Sequence, residues 1–544
     1  MYFTLAVSAA TPERCTALTD RARIADPAVM PVPGPPSMAW RSPDGRAALL
    51  RWGAGAALAA GLPVASYAGT IWAGEPTPGS GRASLYARTT VTRVDPVYVA
   101  EAPGAVILSD RAMWAAWTAN RLDDHDPLLA CALLNPGFPL GSVTPFRGVS
   151  ALPRSTTLHV LNGASTRVAT PGAVPSPQPA PSPVPPGAAP TTPVDLSADV
   201  AAALVEAVVP LREAGRPVEL SLTGGKDSRL VAAALVKAGV PVLAHTHGFA
   251  DHPDVAIAAQ VAQRLGIAHE IRVPAAPGQE VHVLGRIRAT VLVADGMLSA
   301  FENLGRPDPA ASKTITAGGH GGELLRGGYA ETAAGRRATA LRAAELLRRL
   351  TSRHLGLLRR GAAVGYVASL APWTTALARG PLQALDDFYL VNRAGRWSAA
   401  ARQAYLIRES LVQPLFDERV VLAARAVPLA DRTSGELSRA VLAHLCPALT
   451  DVPLAGKAPA RTGPASFDWR RQYGAEIASF LHDYILDLGT TGGLFTVADR
   501  AAAEQALTPP HQDRPTVWAL ATLACLMSAD YKNARADSPR LPVS

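Results

Sequence analysis

The chain has 544 residues, of which 48% are hydrophobic and 18% charged, and this composition indicates a globular protein with two or three domains. Its formal net charge of +8 permits an acidic partner such as ATP, a nucleic acid or a membrane surface, but so small an excess selects none of them. The four cysteines lie far apart and form no Cys-x-x-Cys pair, which argues against a zinc site or a disulfide framework.

The beginning of the sequence shows no targeting segment. Residues 1–5 lack a basic region and read as the first strand of a domain rather than as a signal peptide. A long uncharged run, 53–74, is rich in Ala and Gly and is interrupted by Pro63, so we expect folded core there and not a bilayer span. The sequence therefore predicts a cytoplasmic enzyme without a transmembrane segment.

Residues 1–168 contain short apolar segments bounded by Gly and Pro, which is typical of a β-rich α+β domain. The predicted strands are 47–50, 97–100, 105–108 and 157–160, with a helix at 111–122. The next segment, 169–197, has ten prolines between 171 and 193. Because proline donates no backbone hydrogen bond, we expect an extended linker, with a proline-recognition site as the alternative. The second domain is then 198–544.

The stretch 218–229 organises the second domain. An apolar run suited to one buried strand ends in Gly224 and Gly225, and an apolar helix follows directly. Two consecutive glycines let the backbone adopt conformations that other residues avoid, and the helix adds its positive end, so the loop predicts a phosphate cradle. Asp227 would repel a phosphate unless a cation lay between them, which implies Mg²⁺.

Strand and helix patterns alternate around this loop. A helix at 198–214 precedes it, and a strand at 241–248, a helix at 253–265 and a strand at 269–273 follow. This alternation predicts a doubly wound parallel sheet, whose ligands bind at the carboxyl ends of the strands. The phosphate cradle lies at such an end.

A second glycine-rich loop follows a predicted strand at 313–317. Residues 318–329 contain six glycines around His320 and Glu323. If this strand joins the same sheet, Glu323 faces the first loop and shares a metal with Asp227, since carboxylates from two strand ends suit a Mg²⁺ that bridges phosphates. The alternative is a glycine-rich turn with a solvated glutamate.

The remainder of the second domain is expected to be helical. Residues 335–361 carry eight arginines against one acid, Glu345, which predicts a docking surface for an acidic partner or, more commonly, a solvated basic helix face. Lys457 lies in a Gly/Pro-rich loop at 452–459. A lysine there is either solvated or reaches over bound phosphates.

These motifs together resemble the asparagine synthetase superfamily over nearly the whole chain. The first loop resembles the Ser-Gly-Gly-x-Asp-Ser loop of the ATP pyrophosphatases, which cleave ATP between its α and β phosphates; its residues are Thr223, Gly224, Gly225, Lys226, Asp227 and Ser228. His247 matches the strand whose backbone holds adenine. Residues 318–329, beginning with Gly318 and Gly319, match the family's Gly-Glu-Gly-x-Asp-Glu-x-x-Gly-Gly-Tyr segment. Counting back from Tyr329 places Glu323 at the second Mg²⁺-binding position.

The resemblance extends to the first domain. Residues 141–149 and 152–153 look like the end of the family's glutaminase-type domain, which is Ntn-like. Glutamine-using members carry a catalytic cysteine directly after Met1, where this sequence has Tyr2, and the nearest cysteine is Cys15. The resemblance thus implies a degenerate glutaminase-like domain, followed by an ATP-pyrophosphatase-type α/β domain with an all-helical extension.

Two features narrow the resemblance further. His320 stands where asparagine synthetases carry Glu and β-lactam synthetases carry a catalytic Tyr. With the Thr-Gly-Gly-Lys-Asp-Ser-Arg loop and a first domain without the catalytic cysteine, the chain looks most like the macrolactam synthetases that close lasso peptides. This implies ATP and Mg²⁺ as cofactors, with Asp227 and Glu323 as metal ligands, and a precursor core peptide as substrate. It also implies a leader-binding protein and a leader peptidase as partners, and no nucleic acid.

In that family an acidic side chain of the core peptide is adenylated, and the N-terminal amine then closes the ring. The resemblance implies that His320 takes the amine's proton or orients the carboxylate, although a loop-packing role is an equal alternative. Lys457 lies where the family has the lysine that binds pyrophosphate. Two other functions stay open: an amide or β-lactam synthetase acting on a small molecule, and a catalytically silent scaffold that binds ATP or a peptide.

Overall fold

The computed structural model describes residues 2–23, 36, 38–53, 70–74, 84–169, 196–213, 217–249, 251–273, 280–302, 314–335, 338–408, 410–455, 469–508, 513–533 and 541–542. The structural statements below concern these residues. Most of the uncharged run 53–74 and nearly all of the linker 169–197 lie outside them, so both predictions stay untested. Within these ranges, no helix is long and apolar enough to cross a bilayer.

Two antiparallel sheets form the first part of the chain. Their strands are β1 (Tyr2–Ala9), β2 (Met38–Arg41), β3 (Ala47–Gly53), β4 (Thr70–Gly74), β5 (Ser84–Arg88), β6 (Tyr98–Ala102), β7 (Ala105–Ser109), β8 (Val149–Ala151), β9 (Thr156–Leu161) and β10 (Ala164–Ala169). Six strands pair in the order β2-β3-β1-β7-β6-β8, and four pair in the order β10-β9-β5-β4. The four strands predicted here coincide with or overlap β3, β6, β7 and β9.

Period-two alternation gives the larger sheet two apolar faces. On one face, Ala6 and Leu108 pack against Leu158 and Val160 of the smaller sheet. On the other face, alternate residues such as Leu5 pack with three helices, α1 (Pro12–Arg23), α2 (Ala112–Thr118) and α3 (Pro127–Leu134), in a larger core. This part of the chain is therefore β-rich with helices outside one sheet, as the sequence predicts.

A five-stranded parallel sheet forms the second part. Its strands are β11 (Val218–Ser221), β12 (Val242–His247), β13 (Ala268–Arg272), β15 (Ile315–Ala317) and β16 (Ser410–Val412), in the order β13-β12-β11-β15-β16; the short β14 (Glu280–Val281) pairs elsewhere with β17 (Leu541–Pro542). Parallel pairing holds throughout the five strands. The predicted parallel sheet is thus confirmed, and β11 is its central strand.

Helices make up most of the remaining described chain. They are α4 (Leu196–Glu213), α5 (Lys226–Lys237), α6 (Pro253–Leu265), α7 (Val283–Val293), α8 (Ala330–Ala333), α9 (Thr339–Thr351), α10 (Arg360–Ser369), α11 (Ala371–Arg379), α12 (Pro381–Phe388), α13 (Ala399–Arg408), α14 (Glu418–Ala426), α15 (Leu429–Thr433), α16 (Glu436–Leu445), α17 (Trp469–Gln472), α18 (Ala475–Thr491), α19 (Arg500–Leu507) and α20 (Arg514–Met527). A π-helix, Tyr389–Ser398, joins α12 to α13. Short 3-10 turns occur at Gly322–Arg326, Leu355–Leu357, Pro414–Phe416, Pro447–Leu449, Leu494–Thr496 and Asp530–Asn533.

The parallel sheet has one apolar and one polar face. Since β11 to β12 and β12 to β13 step in the same direction, right-handed crossovers place α5 and α6 on one face. There Val218, Leu220 and Ile315 share a buried core with α4, α5, α6, α14 and α16. On the opposite face, Arg272 forms ion pairs with Glu219 and Glu270, at 3.2 and 3.1 Å. Helices on both faces were expected, and the described helices cover the apolar face.

Two predictions about the helical region are wrong in detail. Strand β16 lies within the segment expected to be all helical; it extends the sheet because Thr316 and Leu411 pair in register, and three residues are too few to show a strand pattern. The segment 335–361, expected to be helical, contains α9, a 3-10 turn and only the first two residues of α10. The Tyr366 hydroxyl donates to the carbonyl of Thr351 at 2.7 Å and so binds the end of α9.

The first and second parts of the chain share buried contacts. One apolar core contains Leu5 and Trp52 together with Ile287 and Trp518. The Arg93 guanidinium, which is buried, donates to carbonyl groups on both sides of this interface, those of Leu152, Gly141, Gly395 and Val391. The two parts therefore pack as one body, while the boundaries 1–168 and 198–544 stay a prediction.

Candidate functional site

The first loop joins the central strand β11 to helix α5. The Thr223 N–H donates to Ser228 Oγ at 3.0 Å, and the two hydroxyls are 2.9 Å apart. The Gly225 N–H donates to Thr223 Oγ1 at 3.2 Å. These bonds close the turn through the hydroxyl groups of two predicted site residues. Thr223 and Ser228 therefore shape the loop.

The glycines of this loop have a different role from the predicted one. Gly225 has φ −78° and ψ 176°, and Gly224 is likewise outside the left-handed region, so neither uses a conformation closed to other residues. Gly224 instead permits close packing, since a Cβ there would lie 2.7 Å from the Cβ of Ala455. Its N–H donates to the carboxylate of Asp254 at 2.8 Å.

Backbone N–H groups that could bind a phosphate lie at the N-terminus of α5, directly after the two glycines. The first N–H groups of a helix have no acceptor within the helix, and the N-cap of α5, Gly225, has no side chain that could accept from them. Those of Lys226, Asp227 and Ser228 make no hydrogen bond within the described ranges. A helix N-terminus with unpaired N–H groups is an anion-binding site. The N–H groups of Gly224 and Gly225 already have acceptors, so these three N–H groups are the ones left for an anion at this loop.

The second loop packs directly on the first, as expected if both follow neighbouring strands. A Cβ on Gly319 would lie 2.4 Å from the backbone nitrogen of Ser228, and a Cβ on Gly322 would lie 2.0 Å from Cγ of Asp227. The Gly318 N–H donates to the carbonyl of Val412 at 3.1 Å, so the edge strand β16 holds the base of the loop. Only glycines fit at this contact.

The contact brings acidic and basic groups together. Arg326, which lies mostly buried in the 3-10 turn, forms an ion pair with Oδ1 of Asp227 and a second one with Glu331 at 3.2 Å. Burial raises the pKa of Asp227, with Glu323 adding to the effect and Arg326 opposing it. Burial, together with the charge of Glu323, also raises the pKa of the Tyr389 hydroxyl. Asp227 and Glu323 are therefore close enough to act on each other.

Residues 199–406 match the Asparagine synthase family model. The matched segment includes both loops and four of the five strands of the parallel sheet, and it supports the predicted superfamily for this domain. An asparagine synthase domain indicates an ATP-dependent amide-bond ligase, and the family uses ATP, typically with Mg²⁺. No curated protein matches the chain.

The acidic residues of the matched segment suit a phosphate-bridged Mg²⁺. Such an ion is usually held by one or two carboxylates together with substrate phosphates. Asp227 and Glu323 supply two, and Oδ2 of Asp227 has no hydrogen-bond partner among the described residues. No group of three or more His, Cys, Asp or Glu side chains converges within the described ranges. The donor set therefore fits an ion completed by ATP and not an all-protein site.

The other predicted site residues have different positions in the structure. His320 is exposed in the second loop, beside Gly319. His247 is exposed at the end of β12, with its ring 5.3 Å from that of His245. The Lys226 ammonium lies 3.7 Å from the position a Cβ on Gly435 would take, so it points toward the start of α16. Lys457 lies outside the described residues.

The structure adds residues that sequence reasoning missed. Asp254 is the second residue of α6, directly after Pro253, and an acid in a first helical turn signals a role at a helix N-terminus. Arg326 stands between apolar residues and glycines, an unusual place for a charge. Nothing in its local sequence indicates that it meets Asp227, which is 99 residues away.

In the first domain, Cys15 is no candidate nucleophile. The residue is buried in α1, and burial raises the pKa of its thiol. A reactive cysteine needs an accessible thiolate. The position of Cys15 is consistent with a domain that does not hydrolyse glutamine.

Proposed function

We propose that the protein is an AMP-forming ligase that closes lasso peptides. It would adenylate the Asp or Glu side chain of a leaderless core peptide and join it to the peptide's N-terminal amine. The observation that carries the proposal is the contact of the two loops, Gly319 on Ser228 and Gly322 on Asp227. This contact gathers helix N–H donors, two carboxylates and His320 at one edge of an asparagine synthase domain.

The first step activates the carboxylate, which is otherwise a poor electrophile because of its charge. A carboxylate oxygen attacks the α-phosphorus of ATP, the bond from the α-phosphorus to the bridging oxygen breaks, and pyrophosphate leaves. The unpaired N–H groups of Lys226, Asp227 and Ser228 are suited to bind the pyrophosphate, since helix N-termini favour anions. Asp227 and Glu323 would hold Mg²⁺, which offsets the charge of the phosphates when bound.

Support for Lys457 comes from its neighbour in sequence. The N–H of Ala455, two residues earlier in the chain, donates to the carbonyl of Gly224 at 3.1 Å. The segment that leads to Lys457 is therefore attached to the phosphate loop. In this proposal the lysine stabilises charge on the departing pyrophosphate, and such preorganised groups typically contribute ~3 kcal/mol to a transition state.

The second step forms the amide bond. The N-terminal amine attacks the acyl carbon, AMP leaves, and the amine must lose a proton. His320 is exposed at the loop contact, and an imidazole is suited to take that proton. The precursor peptide would be supplied by a leader-binding protein and a leader peptidase in the cytoplasm.

The test is incubation of the purified protein with Mg-ATP and a leaderless lasso core peptide. We expect AMP, pyrophosphate and a product lighter than the peptide by one water, detected by chromatography and mass spectrometry. ADP and phosphate instead would contradict cleavage between the α and β phosphates. AMP formation with small carboxylates and amines only would favour an amide or β-lactam synthetase, and ATP binding without turnover would favour a silent scaffold.

His320→Ala separates the two chemical steps. If His320 takes the proton of the amine, the variant should adenylate the peptide nearly normally, measured by exchange of labelled pyrophosphate into ATP. Ring closure should then slow by about 10² or more. Equal loss of both steps would assign His320 to loop packing instead.

A further inference from the structure

The peptide group of Gly224 is held on both sides. Its N–H donates to Asp254 Oδ1 at 2.8 Å. Its carbonyl accepts from the N–H of Ala455 at 3.1 Å and from Nη2 of Arg229 at 3.3 Å. Three separate segments thus meet at one peptide: the phosphate loop with α5, the start of α6, and residues 452–455.

Arg229 connects Gly224 to the segment 452–455 through several hydrogen bonds. Besides Gly224, its guanidinium donates to the carbonyl of Val452 at 2.7 Å and to that of Pro453 at 2.8 Å. The side chain is almost fully buried, with 2% of its surface exposed. A planar fork of donors can serve three carbonyls at once, which an ammonium group on a flexible stem does less well.

The packing around Gly224 leaves no space for a side chain. A Cβ at this position would lie 2.7 Å from Cβ of Ala455, 3.0 Å from Cβ of Ile257 and 3.1 Å from Oδ1 of Asp254. Two of the residues that bond to the peptide, Asp254 and Ala455, therefore also enclose it. Hydrogen bonds and close packing fix one orientation of the turn.

Asp254 would otherwise be unfavourable where it lies. A carboxylate beside a phosphate cradle repels the ligand, and the Gly224 N–H that it occupies is lost as a phosphate donor. Both effects weaken anion binding. The position is explained if the bond to Gly224 fixes the direction of the following turn, and with it the three unpaired N–H groups of α5.

We propose that Asp254 and Arg229 are positioning residues that lock the Gly224 peptide, so that the N-terminus of α5 and the segment 452–455 form one rigid unit for binding Mg-ATP. This inference rests on the proposed ATP-dependent function. It also gives a role to the arginine of the Thr-Gly-Gly-Lys-Asp-Ser-Arg loop. Neither side chain needs to touch the nucleotide.

The experiment compares substitutions at both residues with a matched control. Arg229→Met removes three hydrogen bonds, and Arg229→Lys keeps the charge. The control for the Kd is Arg264→Met, because Arg264 donates to the carbonyl of Ala448 at 3.0 Å and pairs with Asp451 at 3.3 Å nearby but does not contact Gly224. We would measure the Kd of Mg-ATP by calorimetry and, without nucleotide, hydrogen–deuterium exchange in peptides covering 218–235 and 449–455.

We expect Arg229→Met to raise the Kd about tenfold or more and to accelerate exchange in both peptides together. Arg229→Lys should lie between it and the wild type, and Arg264→Met should match the wild type in Kd. Unchanged exchange and Kd in Arg229→Met would overturn the inference. If the wild type itself binds no Mg-ATP, the proposed function fails, while the exchange data still decide whether the two segments are coupled.

Substitutions of Asp254 separate positioning from metal binding. An asparagine side chain offers an oxygen acceptor to the Gly224 N–H, so Asp254→Asn should retain Mg-ATP affinity within about threefold, while Asp254→Ala loses about tenfold or more. Equal loss in both would mean that the negative charge matters, and the positioning role would be wrong. Asp254→Ala and Arg229→Met should also be non-additive, since both release the same peptide; additive effects would contradict a shared lock.

Discussion

Gly319→Ala tests the loop contact on which the proposed site depends. The added Cβ would lie 2.4 Å from the nitrogen of Ser228, 2.7 Å from its Cα and 2.8 Å from the carbonyl carbon of Asp227. An ordinary contact is about 3.5 Å, so the two loops must separate by about 1 Å. All three clashing atoms are backbone, and no side chain can rotate to relieve the overlap.

The expected cost follows from this displacement. Overpacking of this kind typically lowers the free energy of unfolding by about 1–3 kcal/mol, which a chain of this size tolerates. A misplacement of about 1 Å in a reacting group can reduce the rate about 10²-fold. Gly319→Ala should therefore remain folded and lose AMP formation by about two orders of magnitude.

Gly318→Ala is the matched control in the same loop. Its Cβ would meet only Nδ1 of His320, at 3.5 Å, which is an ordinary contact. We expect wild-type rates of pyrophosphate exchange for this variant and a large loss for Gly319→Ala, with thermal unfolding recorded for both. Full activity of Gly319→Ala would refute the contact of the loops, because no shift of a side chain could accommodate the new methyl group.

Three further predictions concern charged groups. Asp227→Asn should abolish AMP formation with little change in the thermal midpoint, and retained turnover would exclude Asp227 as a metal ligand. Burial raises the pKa of Asp110 to about 8, so the folded state binds the proton of this carboxyl more tightly than the unfolded state does. The free energy of unfolding should therefore fall as the pH rises from about 4 to 8. Asp110→Asn should flatten this pH dependence in denaturant titrations. Asp386→Ala should cost about 3–5 kcal/mol in the same assay because it leaves Arg425 and Arg432 without this buried counter-ion, whereas Glu345→Gln at an exposed ion pair should change little.

The sequence predicted the order of elements best where patterns are local. The helix at 253–265 has the predicted bounds, and the strands before and after it differ by one or two residues. This helix has Pro253 at its first position and is followed by Gly266, whose φ is 66°. Both residues are strong signals of a helix boundary. Local chemistry of this kind requires no knowledge of the tertiary fold.

The features that the sequence did not predict depend on contacts between residues far apart in the chain. Strand β16 exists because β15 offers it an edge, and its own three residues carry no strand pattern. The partner of Asp227 was predicted to be a metal shared with Glu323, but the structure adds Arg326, which reaches Asp227 across 99 residues. The glycine pair at 224–225 was interpreted through backbone freedom, whereas Gly224 is required by close contact with Ala455, 231 positions later. None of these contacts leaves a signal in a short window of sequence.

Arg326 explains how two half-buried carboxylates can stand beside an anion site. Glu323 disfavours the charged form of Asp227, and a phosphate would add to the repulsion. Arg326 compensates part of this charge at Oδ1 of Asp227, while Glu331 holds the guanidinium in place from the other side. Oδ2 of Asp227 has no hydrogen bond in the described chain. Arg326 therefore holds the carboxylate by one oxygen and leaves the other able to bind a metal ion. In the proposed function, the ion pair would therefore orient Asp227 toward the cation instead of replacing that cation.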